Sequence, residues 1–186
     1  MSTTGPYAQT LPVAGTVIAV SWADQVVRQL GYLTGTPLTG DDERPYAVIR
    51  QTVAQALTSG ASAAVLFDAE DIDTNNGHST TSNTSRWTCP TGKSGWFSAT
   101  YSAGFVSNAT GDRRAWMSIT GGSTQYGESI ASAAGAHQTF LSGADRFFLN
   151  AGDYVQLNLV QYSGGSLNTD ISVAGCRLTI VQERMQ

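Results

Sequence analysis

The chain has 186 residues, a formal net charge of −4 and only 13% charged residues, where about 25% is usual for a globular protein. A nucleic-acid-binding surface needs a basic patch. The few arginines here do not supply one, so no nucleic acid partner is expected. No apolar run approaches the roughly 20 residues of a membrane-spanning helix, and the polar first residues do not resemble a signal peptide. The length suits one domain with a packed core plus an extension.

The first 44 residues are predicted to form an N-terminal arm. Residues 34–44 (TGTPLTGDDER) have the composition of a linker, which places the boundary between an arm at 1–44 and a domain at 45–186. Sequence interrupted by prolines predicts an extended start. The apolar residues that follow recur at helical spacing; they are Trp22, Val26, Val27 and Leu30. So short a helix is marginal alone, and we therefore expect these four residues to dock onto a partner.

Residues 46–57 (YAVIRQTVAQAL) carry two competing periodicities. Val48, Ile49 and Val53 fit the spacing of a helix. Ile49, Gln51 and Val53 also give a partial alternation, which is the pattern of a strand. The period alone favours a helix, but the fold expected from the rest of the chain favours a strand.

After Gly60 the sequence predicts strands separated by glycine-rich turns. Apolar or alternating runs occupy residues 63–67, 96–101, 115–119, 138–149, 155–160 and 177–181. A Gly-Ala-Asp sequence at 143–145 is predicted to break the fourth run. Short strands at intervals of about ten to fifteen residues are typical of a β-sandwich or barrel. No fixed repeat occurs, which argues against a propeller or solenoid.

The cysteines and histidines are predicted to be structural. Cys89 and Cys176 lie in apolar, strand-like contexts, which favours free buried thiols acting as small hydrophobes, although the sequence alone does not decide whether they pair. His78 follows an Asn-Asn-Gly sequence, so it is expected on a surface turn. His137 is expected to open a strand.

An acidic cluster is the one candidate metal site, and it comprises Asp68, Glu70, Asp71 and Asp73. Carboxylate oxygens suit Ca²⁺. However, Gly77 is misplaced for a calcium loop of the EF-hand type, and the closing glutamate of such a loop is missing. A solvated acidic turn is therefore the competing interpretation. No other cofactor is expected.

Two motifs that suggest catalysis fail on inspection. Gly92-Lys93-Ser94 resembles the end of a phosphate-binding loop, but Trp87 stands where that loop needs glycine. The sequence at 127–131 (GESIA) approaches a nucleophile elbow but lacks the second glycine, so a turn is predicted there. No catalytic constellation supports an enzyme such as a cell-wall hydrolase, and the chain is expected not to be one.

The β region resembles a known family of trimeric jelly rolls. One stretch is SRWTCP at 85–90, followed by GWFSA at 95–99. Another is AGDYVQL at 151–157, and the third is the apolar strand that closes the chain. Together they resemble the complement globular heads and tumour-necrosis-factor-like domains, apart from a turn lengthened by Lys93-Ser94. The resemblance implies an all-β jelly-roll sandwich that forms homotrimers.

The stretch at 67–89 (FDAEDIDTNNGHSTTSNTSRWTC) more closely resembles versions of this domain in virion proteins of tailed phages, including minor tail proteins. The segment at 15–30 resembles the N-terminal segments of such proteins. This resemblance implies a structural protein of the virion, in the minor tail, a fibre or the head decoration, assembled in the host cytoplasm. Its arm would attach it to other virion proteins.

Four aromatic residues are candidates for the trimer interface: Tyr101, Phe105, Trp116 and Tyr154. If half of the aromatic side chains of this domain point outward, they form an apolar patch that a three-fold assembly would bury. The alternative is that all four lie in the protomer core.

The alternative function is a module that binds a host receptor or glycan. Aromatic rings in exposed loops could stack on sugar rings, and the candidates are Trp87, Trp96, Tyr126 and Tyr162. The same residues could equally fill the core. A structural protein without a ligand and a glycan-binding protein are therefore both consistent with the sequence.

Overall fold

A computed structural model describes residues 44–172 and 175–185. The docking residues predicted in the arm lie outside this part of the chain. Within the described residues the structure contains strands and no helix. The strands are β1 (Tyr46–Arg50), β2 (Ala56–Leu57), β3 (Ala63–Ala64), β4 (Ala69–Asp73), β5 (Trp87–Thr88), β6 (Gly95–Phe105), β7 (Asp112–Ile119), β8 (Tyr126–Ser132), β9 (Thr139–Leu149), β10 (Tyr154–Gln161), β11 (Leu167–Asn168) and β12 (Arg177–Met185).

The strands form two layers that enclose one core. The first sheet has the order β4-β1-β12-β6-β9, and the second has the order β3-β10-β7-β8, with β5 also paired to β10. A small ladder joins β2 to β11. All of these neighbours run antiparallel. This β-sandwich confirms the predicted all-β fold class.

Strand β6 shows how the sequence creates the core face of the first sheet. Phe97, Ala99 and Tyr101 are buried, and they alternate with side chains that lie at or near the surface. A strand directs successive side chains to opposite faces, so this alternation points the aromatic residues inward. The inner face continues onto β9, where Phe147 pairs with Phe97. The largest apolar side chains therefore meet between the layers.

Strand β10 performs the same role in the second sheet. Val155, Leu157 and Leu159 are fully buried, and Leu157 lies opposite Met117 of β7. Burying such side chains contributes roughly 1.5 to 3 kcal/mol each relative to exposure. The alternation that predicted this strand from the sequence is therefore the pattern that holds the second sheet against the first.

The fold confirms one sequence prediction and corrects two. Residues 46–57 contain strands β1 and β2, as the expected fold favoured over the helical periodicity. Strand β9 runs without a break through residues 143–145. Residues 127–131, predicted as a turn, lie in strand β8. Pairing with neighbouring strands overrides the local preference in each case.

Strand β9 can run through residue 143 because glycine, which has no side chain, occupies that position. A Cβ atom there would lie 2.1 Å from the carbonyl oxygen of Gly127 in β8. The hydroxyl of Tyr101 reaches the same place, 2.7 Å from that oxygen and 2.8 Å from the carbonyl oxygen of Ala115. Glycine is thus required where the two sheets approach each other closely.

Candidate functional site

Two of the four aromatic residues predicted at the trimer interface are in the protomer core instead. Tyr101 is 4% exposed and Phe105 is fully buried, so neither side chain is available to a neighbouring copy. Both lie on the inner face of β6, because alternate residues of a strand share a face and Phe97 lies on the inner one. Trp116 and Tyr154 are half-buried and lie on the outer face of the second sheet. The sequence could not separate inward from outward aromatic residues.

The outer face of the first sheet carries a set of exposed apolar side chains. These are Tyr46, Ile72, Trp96, Phe140 and Val181, each between 38% and 44% exposed. Small hydroxyl residues fill the centre of the same face, where Thr100 lies opposite Thr179 and Ser98 lies opposite Val181. We call this surface the first-sheet face. Its small central side chains leave room for another surface to approach.

An arginine pair lies at one end of the first-sheet face. Arg50 and Arg177 are opposite each other on β1 and β12, and both contact the carboxylate of Asp71. The Arg50 hydrogen bond, at 2.7 Å, and the charge of Arg177 lower the pKa of Asp71. A cleft of about 340 Å³ borders this group, and a second depression of about 220 Å³ meets it at Arg177.

Trp96 lies at the other end of the first-sheet face. The Arg146 guanidinium is 5.2 Å from the centre of the Trp96 ring, and Phe148 packs edge-on against the same ring at 5.9 Å. Arg146 also pairs with Glu183 at 2.6 Å. Trp96 nevertheless remains 43% exposed, so this aromatic cluster offers a flat apolar contact with a cation beside it.

The four acidic residues proposed as calcium ligands have different partners. Asp68 accepts hydrogen bonds from Thr52, and Asp71 joins the arginine pair. Glu70 contacts a ring nitrogen of His78, while Asp73 accepts from the His78 backbone. Across residues 44–172 and 175–185, no group of three or more His, Cys, Asp or Glu side chains is arranged to hold a metal ion. Calcium binding stays an untested prediction.

His78 is buried, which corrects its predicted position on a surface turn. Its Nδ1 lies 2.8 Å from Glu70 Oε1, and its Nε2 lies 3.1 Å from the carbonyl oxygen of Thr84. The His78 backbone N–H donates to Asp73 at 2.7 Å. Because β4 runs beside the turn, its carboxylates draw the histidine inward. The sequence shows a histidine eight residues after a glutamate, but this spacing does not predict a contact between them. Strand β4 and the turn after it bring Glu70 and His78 together.

Of the four aromatic residues considered for sugar stacking, two are exposed and two are not. Trp87 is fully buried, so that prediction is wrong; its indole N–H faces Asp73 at 3.4 Å. Tyr126 is half-buried and packs edge-on against Phe147 in the core. Trp96 and Tyr162 are exposed, and their role in binding stays a prediction.

Both cysteines are free and buried, as the sequence predicted. Burial raises the pKa of each thiol to about 11, with the nearby charge of Asp153 adding to the effect at Cys89. A thiol is nucleophilic as its thiolate, and these environments disfavour the thiolate. His137 is exposed two residues before β9 rather than at its first residue.

Comparison with known proteins identifies the fold through structure alone. No family model matches the sequence, and no curated protein matches it. The crystal structure of murine APRIL at pH 5.0 has a TM-score of 0.57 at 12% identity, covering 75% of this chain and 99% of that one. The globular domain of zebrafish complement 1qA has a TM-score of 0.56 at 14% identity, covering 76% and 99%.

No helix long and apolar enough to cross a membrane occurs in the part of the chain that the structure describes. The described residues form two five-stranded sheets, and the structural match covers nearly the whole of both solved domains. The described domain therefore has the jelly-roll fold of tumour-necrosis-factor-like and complement C1q-like globular domains.

Proposed function

We propose that this protein is a structural component of a tailed-phage virion, a minor tail, fibre or decoration protein whose jelly roll forms a homotrimer. The first-sheet face, which the described residues of one protomer leave exposed, supports the homotrimer, and the resemblance of residues 67–89 to virion proteins of tailed phages supports the location. The N-terminal arm, at residues 1–44, would attach the trimer to other virion proteins. The proposal assigns no catalytic step to the chain.

The composition of the first-sheet face suits contact between copies. Large apolar side chains such as Val181 and Phe140 surround a centre of small hydroxyl residues such as Thr100. Exposed apolar side chains grouped on one face of a small domain commonly mark an interaction surface. Three-fold closure lets each protomer cover part of its neighbour without leaving an open edge. The first-sheet face therefore replaces the predicted interface of Tyr101, Phe105, Trp116 and Tyr154.

The outer face of the second sheet is less suited to self-association. Arg114 pairs with Glu128 across β7 and β8, and Asn158 donates to Ser118 at 2.9 Å. These polar groups already have partners within the protomer. Burying polar or charged groups costs free energy unless a new partner compensates them. The ion pairs of the first-sheet face lie at its two ends, whereas Asn158 and Ser118 lie on the central strands of the second sheet, so we expect the second-sheet face to remain in water.

The described chain begins next to its own last strand. Arg44 donates to the carbonyl oxygen of Glu183 at 2.9 Å, and the backbone N–H of Gln182 donates to Pro45 at 2.9 Å. Both contacts lie at the Trp96 end of the first sheet, because Gly95 opens β6 there. In a trimer built on the first-sheet face, three arms would therefore leave from the same end, as attachment to one site on a particle requires.

Deletion of residues 1–40 tests the attachment. Because the jelly roll has its own core, we expect the shortened protein to keep the oligomeric mass of the full chain but to be missing from particles purified from infected cells. Quantitative mass spectrometry of those particles measures its copy number. Normal incorporation of the shortened protein would show that the arm is not the attachment segment.

A further inference from the structure

A polar hollow lies on the flank of the sandwich, between the end of β4 and strand β5. It has a volume of about 220 Å³. Side-chain amides and hydroxyls line it, together with one arginine; the lining residues used below are Asn76, Ser79, Ser82, Asn83, Arg86 and Thr88. We call it the Arg86 hollow. Its lining offers many hydrogen-bonding groups and one positive charge.

The Arg86 side chain is held in place without using its hydrogen-bond donors. Its Cζ lies over the Tyr154 ring, 4.7 Å from the ring centre, and this cation–π contact restrains the position of the guanidinium. Among the described residues this side chain has no hydrogen bond or ion pair, and its backbone N–H donates to Asn83. Its five N–H donors remain available to a ligand in the hollow.

The loop that forms the hollow is anchored from beneath. His78 has an acceptor at each ring nitrogen, Glu70 on one side and Thr84 on the other. A Cβ atom on Gly77 would lie 2.4 Å from Trp87 Nε1, so the backbone packs directly on the core tryptophan. A site fixed before binding loses less conformational entropy on binding. The loop is therefore a preformed wall, although its outer residues are exposed.

We propose that the Arg86 hollow binds an acidic saccharide unit, with Arg86 pairing to the carboxylate and the amide and hydroxyl side chains contacting the sugar hydroxyls. A guanidinium matches a carboxylate in a two-point geometry. The amides of Asn76 and Asn83 can both donate and accept, as sugar hydroxyls require. The hollow, at about 220 Å³, can hold part of one sugar ring but not an extended saccharide chain.

The hollow stays open in the proposed assembly. Tyr154 and Thr88 pair with each other on the outer side of the second sheet, away from the first-sheet face. Each protomer of a trimer would then present one hollow, so a polymer of acidic sugars could be held at three points. Binding at the hollow requires neither trimer formation nor a location in the virion.

Titration of the full-length chain with D-glucuronate, D-glucose and inorganic phosphate tests the proposal. Amide chemical shifts in a TROSY spectrum report both location and affinity. We expect glucuronate to shift the amides of Gly77, Asn83 and Arg86 with millimolar affinity, and to bind more tightly than either glucose or phosphate. Equal binding of phosphate would overturn the saccharide assignment, since phosphate shares only the charge.

The substitution Arg86→Gln should weaken glucuronate binding by roughly tenfold, because a charge-assisted pair is lost. Arg114→Gln is the matched control, since it removes the same charge from the same side of the sandwich but lies outside the hollow. We expect its affinity to match the wild type. Equal weakening in both variants, or no shift of the hollow amides at tens of millimolar glucuronate, would refute the proposal. The unchanged remainder of each spectrum verifies folding.

Discussion

At Tyr101 a single phenolic hydroxyl connects strands of both sheets. It lies within hydrogen-bonding distance of the carbonyl oxygens of Ala115 and Gly127. Burial, with a contribution from the charge of Glu128, raises its pKa to about 12. This residue stabilises the closure of the sandwich, which explains why an aromatic residue predicted at an interface lies inside the protomer.

The substitution Tyr101→Phe should reduce the free energy of unfolding by about 1 to 3 kcal/mol, because it removes the one hydroxyl proton that the carbonyl oxygens of Ala115 and Gly127 share. Tyr162→Phe, at a residue 45% exposed, should change it by less than about 0.5 kcal/mol. Urea denaturation of the two variants measures the difference. Equal stability of both would mean that the Tyr101 hydroxyl contributes nothing to the closure.

The buried thiols predict a loss of stability in alkali. The folded pKa of Cys89 and of Cys176 is about 11, raised from an ordinary value of 9.0. The unfolded state therefore releases these protons first, so the stabilising contribution is complete below about pH 9 and is lost as the pH rises through about 11. Denaturation midpoints across this range measure the loss.

A chain with both Cys89→Ala and Cys176→Ala provides the control for the alkaline loss. Its stability starts lower because small cavities are formed. It should fall less steeply above about pH 9, because Tyr101 is then the one remaining group of the described chain whose pKa is raised by burial. Parallel curves for the two proteins would attribute the alkaline loss to other groups.

Among the elements, the loop between β4 and β5 depends most on one side chain. His78 joins the loop to the strand through Glu70 and Thr84. The His78 side chain is fully buried, whereas that of Glu70 is 32% exposed. Removing the ring nitrogens would take a hydrogen-bonding partner from Glu70 and from the Thr84 carbonyl oxygen, and a partly buried group without its partner is costly.

The substitution His78→Leu should destabilise the domain by about 2 kcal/mol and should speed hydrogen exchange across residues 74–86 more than in strand β6. His137→Leu changes an exposed residue and should have little effect on either measurement. Exchange followed by mass spectrometry gives the local effect. Unchanged protection of the loop in His78→Leu would contradict the anchoring role of the histidine.

Sequence patterns predicted the long strands that have one buried face and missed the edge strands β4 and β8. In β6 and β10 the apolar residues alternate because one face is buried along the whole strand. Strand β8 lacks this alternation, since Gly127 is its second residue and its aliphatic residue Ile130 is 56% exposed. An edge strand is held mainly by its backbone pairing with a neighbour, and this pairing leaves little trace in local sequence.

For the whole molecule, the decisive quantity is the native mass. We expect three times the 19.6 kDa of one chain by native mass spectrometry at micromolar concentration. The substitution Val181→Arg should shift this mass towards the monomer, because it places charge in the first-sheet face. Ile130→Arg, on the second sheet, should leave the mass unchanged. A monomeric wild type, or equal effects of the two substitutions, would refute the proposed assembly.

The sequence by itself determined the all-β class, the burial of both cysteines and the central strands, because alternation and turn residues are local consequences of one-sided burial. Only the tertiary structure decided which aromatic residues face inward, as Tyr101 and Trp87 do, and which face outward, as Trp96 does. Their environments depend on strand pairing and on contacts between residues far apart in the chain. The burial of His78 against Glu70 and the stacking of Arg86 on Tyr154 arise in the same way, so the candidate sites follow from the packing of the two sheets.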